Sequence, residues 1–298
     1  MKWTLLLGSC LLLLHARAQV LLVEPAMRDP AEPCFNPEFM ARNQVKSVKG
    51  QAWSKRDGRP MVPHERYFLY RFGANGRLAY ASTTFGKKGS GMDTASVMYS
   101  YDGLGHLLLE LHHDGLGHYA LRNEYDAEGR AVRRTHVRLE NLGPDPDRST
   151  EGVSTTISDE RYAYAKVNDT TWSMTWMNDR GRPYQEDRHC QDRLGYPRSI
   201  DQRNLITQRR SRITFGYDAH GRLAERTEQS DLANPSTTTW TWTYDNAGNP
   251  LTRDQFRDGR LVRHGEFLYA EGSLFLKAVI TRNEETGLIE VVRYETVR

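Results

Sequence analysis

Four histidines crowd one stretch of the chain: His106, His112, His113 and His118. The last two flank the Asp114-to-Gly117 turn, so on paired strands they would face each other and could share a cation with the Asp114 carboxylate. Sister segments carry Arg130 and Arg222 in the corresponding slot, which marks the histidines as ordinary rim residues, and no metal or cofactor is expected. Asp145, Asp147, Ser149 and Glu151 alternate as calcium ligands do, yet Thr150 stands where such a loop needs glycine and Pro146 stiffens the chain. A solvated loop over 141–152 is the expectation. Two cysteines outside the amino-terminal leader, Cys34 and Cys190, are a candidate disulfide that would tie the amino-terminal segment to the body.

Aromatic rows offer a different chemistry. Trp172 and Trp176 alternate along one strand-like run, and Trp240, Trp242 and Tyr244 along another. Flat rings on a rigid sheet can stack on sugar rings, so these tryptophans are candidate ligand-binding residues; the competing reading is that they are the buried face of the sheet. Catalysis has little to stand on. Acidic pairs such as Glu186-Asp187 occur, but nothing sets one carboxylate across a cleft from another. The chain has no Gly-x-Ser-x-Gly elbow and no His-Glu-x-x-His helix, and His189 beside Cys190 would point to the opposite face of a strand. A non-enzyme is expected.

The elements that must carry these residues are strands and tight turns. In TTTWTWTYD the tryptophans and tyrosine share one face and the threonines the other; TTWSMTW and RITFGYD alternate likewise. The runs are separated by a recurring phrase: Tyr101-Asp102 to Gly105, Tyr125-Asp126 to Gly129, Tyr217-Asp218 to Gly221 and Tyr244-Asp245 to Gly248. Asp accepts from backbone amides two residues on, Gly supplies a positive φ, and Tyr ends the incoming strand. Weaker echoes end at Gly76, Gly181 and Gly195. The phrase predicts an all-β fold: a long antiparallel meander of hairpins, sixteen to twenty strands, forming a curled open sheet, half-barrel or spiral.

The phrase, fullest at Tyr217-Asp-Ala-His-Gly-Arg-Leu223, resembles the YD repeat of bacterial RHS proteins and teneurins, over roughly Trp53 to Arg298. The resemblance implies hairpins winding into a hollow shell, which in the RHS branch encloses a toxin. This chain is short for such a shell, ends in strand-like sequence and has no Asp-Pro-x-Gly-Leu self-cleavage phrase, so the fold alone is carried over.

Residues 1–18 read as a secretory leader: Lys2, an apolar run from Trp3 to Leu14, then Ala16 and Ala18, with cleavage after Ala18. Removing Lys2 and Arg17 takes two of 41 basic residues away against 38 acidic ones, leaving the chain near neutral, and no basic block suggests nucleic acid. No apolar stretch is long enough for a transmembrane span. Three segments result: a leader at 1–18, an amino-terminal extended segment at 19–50 with a short helix capped by Asn36 and begun by Pro37, and a repeat sheet at 51–298. The helix is expected to plug an open end of the sheet. The functional expectation is a secreted or periplasmic, non-enzymatic YD-repeat protein presenting a sheet surface for binding or display in the cell envelope. Alternatives are a carbohydrate-binding module and an orphan RHS component that chaperones a separate effector, with a saccharide or an envelope protein as partner.

Overall fold

A computed structural model describes residues 19–56, 58–86, 92–114, 117–140 and 154–298. The leader, the 141–152 loop and its calcium-like carboxylates therefore lie outside the described residues. From Ser47 onward the chain is an antiparallel meander of eighteen strands in which each pairs with the next, and it closes into a barrel. The open sheet or half-barrel expected from the repeats is corrected here. The first barrel strand, Ser47–Lys55, pairs along its whole length with the last, Ile289–Val297, from Ser47 opposite Val297 to Lys55 opposite Ile289. Closure removes both free edges, which an open meander of this length would expose to other chains. The chain is long enough to close because nearly every hairpin uses a short turn.

Alternate strand direction sorts the turns by rim. Those at Gly73–Arg77, Asp102–His106, Asp126–Arg130, Asp192–Tyr196, Asp218–Arg222 and Asp245–Asn249 all fall on one rim, and the echo at Asn178–Arg182 on the other. In each Asp turn of the first rim, one carboxylate oxygen takes the amide four residues on; Asp218 Oδ1 accepts from His220 N and Arg222 N, both at 2.9 Å. The second oxygen holds the next side chain, Arg222 Nε at 2.7 Å. That guanidinium then lies 4.6 Å from the ring centre of Tyr244 in the following repeat. Arg77 covers Tyr101 and Arg198 covers Tyr217 in the same way, and His106 stacks on Tyr125. Three of the four tyrosine hydroxyls reach back to the first carbonyl after an earlier turn: Tyr101 to Leu78 at 3.0 Å, Tyr125 to Leu107 at 2.9 Å, and Tyr244 to Leu223; the buried Tyr217 hydroxyl makes no such bond. The motif is thus a turn and also a latch between neighbouring repeats.

The latch predicts acid sensitivity. Burial works against the Asp218 charge, but hydrogen bonds from the Arg222 amide and side chain outweigh it and hold its pKa below the usual carboxylate range; Asp192 is lowered too, and both stand against a reference of 3.8. A depressed folded-state pKa contributes stability that is present above the unfolded value and is lost as pH falls through the folded one. Stability should therefore decline as pH drops below about 3.8, and Asp218→Asn should reduce the steepness of that decline in a pH series of urea midpoints.

Residues 19–46 enter the barrel at the rim that bears the Asp turns. Asn36 caps the helix Pro37–Arg42, accepting from Glu38 N at 3.0 Å, and the helix buries Phe39 and Met40. These pack with Val20, Leu21, Phe35 and Val45 against Val48, Phe267, Leu276 and Val279 of the wall. The repeat sheet begins at Ser47, slightly before the expected boundary at residue 51.

Candidate functional site

Because antiparallel partners share a face, the wall divides cleanly into inner and outer rows. Trp240, Arg253, Phe267, Val279, Val292, Phe68 and Val97 line the lumen, and register carries that face to Glu110, Glu160, Trp176 and Asp187. The outer rows are polar and paired: Arg133 Nε to Asp159 at 2.8 Å, Arg212 to Asp201 at 2.5 Å, His264 to Asp254 at 2.5 Å. Two apolar groups sit among them on the outer face, Leu109, Leu111, Ala120, Val137 and Leu139, and Trp53, Ala278, Ile280 and Val291. A lipid-facing barrel needs an apolar outer band about 25 Å tall, and each arginine at its midplane costs about 2–4 kcal/mol. Each of the arginine pairs on the outer rows would carry that cost at such a midplane. No helix of the described residues is long and apolar enough to cross a membrane.

The amino-terminal segment crosses the lumen and is clamped to the wall through its backbone. Val20 N donates to Asn249 Oδ1 at 2.7 Å, Arg226 Nη1 donates to Met27 O at 2.6 Å, and Arg253 Nη1 to Pro30 O at 2.8 Å and Ala31 O at 2.9 Å. Val23, Met27 and Ala31 pack on the cluster of Phe215, Leu223, Trp240 and Trp242. Asn249 occupies the slot that holds arginine in sister repeats, and it is wholly buried because the plug backbone docks on its amide.

Beyond the plug the lumen keeps a cavity of about 600 Å³. Ala31, Glu32 and Pro33 form its floor; Phe68, Tyr70, Val97, Tyr99, Val279 and Tyr294 are among its walls. It opens at the other rim, where the paired side chains of Arg66 and Glu290 are 45% and 38% exposed. Its electrostatics are those of a dry site. Burial pushes the Tyr99 hydroxyl up to about 12, aided by Glu110, and raises Tyr70 and Tyr294. Burial, then Asp29, raises the Glu32 carboxyl. Burial lowers Arg253 to about 10. These residues give no signal in the sequence, because aromatic and arginine positions look alike until the register assigns them a face.

The residues singled out from sequence are placed as follows. Tyr101, Asp102, Gly105 and their counterparts at Tyr125, Tyr217 and Tyr244 build the rim. Trp240 and Trp242 are 7% and 5% exposed and pack with residues of the plug; Trp242 is core, whereas Trp240 also lines the lumen cavity. Trp172 and Trp176 face the lumen half-buried, but both are committed: the His189 ring stacks on Trp172 at 3.7 Å, and Trp176 Nε1 donates to Asp187 Oδ2 at 2.9 Å. The candidate disulfide is also corrected. Cys34 belongs to the plug inside the barrel and Cys190 to an outer row, and both thiols are free. Burial raises Cys34 to about 11, so it stays a thiol. His113 and His118 do meet, with Nδ1 atoms 3.1 Å apart. Among the described residues no group of three or more His, Cys, Asp or Glu is placed to hold a metal ion.

No family model matches the chain, and neither does any curated protein. Among solved structures it is similar to a porin-like protein from Bacteroides uniformis, 12% identical over 85% of this chain and 98% of that one, with a TM-score of 0.41. A porin-like protein from Bacteroides vulgatus is 10% identical over 85% and 98%, at a TM-score of 0.34. The Tc holotoxin pore of Photorhabdus luminescens is 12% identical over 74% of this chain and 14% of that one, at a TM-score of 0.21.

Proposed function

We propose that the chain is an exported, non-enzymatic YD-repeat protein of the cell envelope whose binding surface is the inner wall of its own barrel. The observation that carries this reading is the cavity of about 600 Å³ left between an aromatic wall and the plug. That volume is the size of a small-molecule site, mostly apolar with a few polar groups, and far below that of a folded effector. The cavity wall supports it: Phe68, Val97, Val279 and Val292 turn into the cavity, with Arg66 and Glu290 paired at its rim. The leader-like residues 1–18 support export, with cleavage after Ala18. A saccharide guest gains less support, because Trp242 packs under the plug and Trp172 is covered by His189, which leaves Trp240 alone of these rings on the cavity.

The test uses an uncharged fluorophore, N-phenyl-1-naphthylamine, with the purified protein. Saturable emission enhancement is expected, and Ala95→Trp, which fills the cavity from a small wall position, should weaken it at least about tenfold, since the site then lacks room for the guest. The far-UV spectrum of the variant should be unchanged. Enhancement that Ala95→Trp leaves intact would mean that the dye sits elsewhere and the lumen is not the binding surface.

A further inference from the structure

Three inward arginines have acidic partners: Arg226 with Glu228 at 2.8 Å, Arg134 with Glu110 at 3.5 Å, and Arg66 with Glu290. Arg253 forms no such ion pair among the described residues, although Asp29 of the plug acts on its charge from further off. It is 7% exposed, and its Nη1 is spent on two carbonyls of the plug, Pro30 O and Ala31 O. Its guanidinium carbon lies 5.8 Å from the Trp240 ring centre and 5.4 Å from that of Phe267. Nε and Nη2 make no hydrogen bond among the described residues, and Arg253 lines the cavity. A buried charge without a directly paired counter-ion is costly, and carbonyl dipoles meet only part of its need.

The free edge is the significant one. Nε–H and Nη2–H point the same way and form the fork that fits the two oxygens of a carboxylate. The two carbonyls and the two rings fix that fork in place, so an incoming anion need not order it. From this fork the walls run toward the open rim over apolar side chains, Val97, Val279, Val292 and Phe68. Tyr70 to Arg66 along one strand spans roughly 13 Å. On the lumen-binding reading above, we propose that the guest is an amphipathic carboxylate of medium chain length, its head on the Arg253 fork and its hydrocarbon chain along the aromatic wall. Glu32 faces the same cavity from the floor and, with Asp29 of the plug, is an acid with which the head must contend, Glu290 being held by Arg66 at the rim.

The test is displacement of N-phenyl-1-naphthylamine from the purified protein by decanoate, decanol and decyltrimethylammonium, which share a chain and differ in head. Decanoate should displace the dye at a concentration at least about tenfold lower than decanol, with the ammonium weakest, in keeping with a charge-assisted bidentate pair. In Arg253→Met, decanoate and decanol should coincide, and Glu32→Gln should strengthen decanoate alone. Equal displacement by decanoate and decanol in the unmodified protein overturns the assignment of the head group while leaving the lumen as the binding surface. A dye that is never bound removes the lumen reading and this inference with it. The comparison of three heads needs no variant, so it decides the head group even if Arg253→Met fails to fold.

Discussion

Trp242→Ala should lower the free energy of unfolding by about 3–5 kcal/mol, the usual cost of truncating a buried aromatic side chain. Trp242 is 5% exposed, and the cluster it shares with Trp240, Phe215 and Leu223 receives Val23, Met27 and Ala31 of the plug. Removing the indole strips apolar contacts from both wall and plug and leaves a void between them that backbone clamps at Arg226 and Arg253 prevent from collapsing. Against a total stability of about 5–15 kcal/mol the loss is large, and for a chain of this length it corresponds to a fall in Tm on the order of 10 °C. Trp172 is the control. It lies half-buried against His189, away from the plug, so Trp172→Ala should cost clearly less. Comparable losses for the two variants would mean that Trp242 is no more central to the core than a lumen-facing ring, and the plug-on-wall packing would have to be redrawn.

That contrast also marks how far the sequence could be read. Hairpins were legible because each part of the turn acts locally: Asp218 accepts amides two and four residues on, and Gly221 takes φ 75°. The helix at Pro37 was legible for the same reason, since Asn36 and Pro37 set its start within one turn. Closure was not, because it depends on Ser47–Lys55 meeting Ile289–Val297, strands at opposite ends of the chain whose pairing leaves no mark in either. The role of Arg222 was half legible: its bond to Asp218 is local, its cover over Tyr244 is not. The cavity was illegible altogether. Arg253 and Asp254 are adjacent and both charged, yet register sends one to a dry lumen and the other to an ion pair with His264 in water. Alternation predicts that neighbours part company; it does not say which face is inside once polar residues occupy both.

The plug itself can be tested where it touches the repeat. Gly76 has φ 73°, and a Cβ built there would lie 1.9 Å from Pro37 O and 2.6 Å from Ala41 N, both backbone atoms of the plug helix. Gly181 has φ 70° in the corresponding turn of the opposite rim, with nothing within 4 Å of an added Cβ. Both substitutions to alanine incur the left-handed strain of an L residue, about 1–2 kcal/mol. Only Gly76→Ala must also lift the helix, because backbone cannot swing aside as a side chain can. Lifting it exposes Phe39 and Met40, each worth about 1.5–3 kcal/mol when fully buried and now 3% and 1% exposed. Gly76→Ala should therefore lose at least about 2 kcal/mol more than Gly181→Ala in paired denaturation curves, on the burial of either side chain alone. It should also render residues 19–46 sensitive to limited proteolysis at concentrations of protease that leave the parent and Gly181→Ala intact. The two readouts separate the causes: strain alone would shift both variants equally and cut neither, whereas a displaced helix frees the one segment that floors the cavity. Equal shifts with no cleavage would mean that the helix is not seated on this turn, and the floor of the lumen would lose its anchor at the rim.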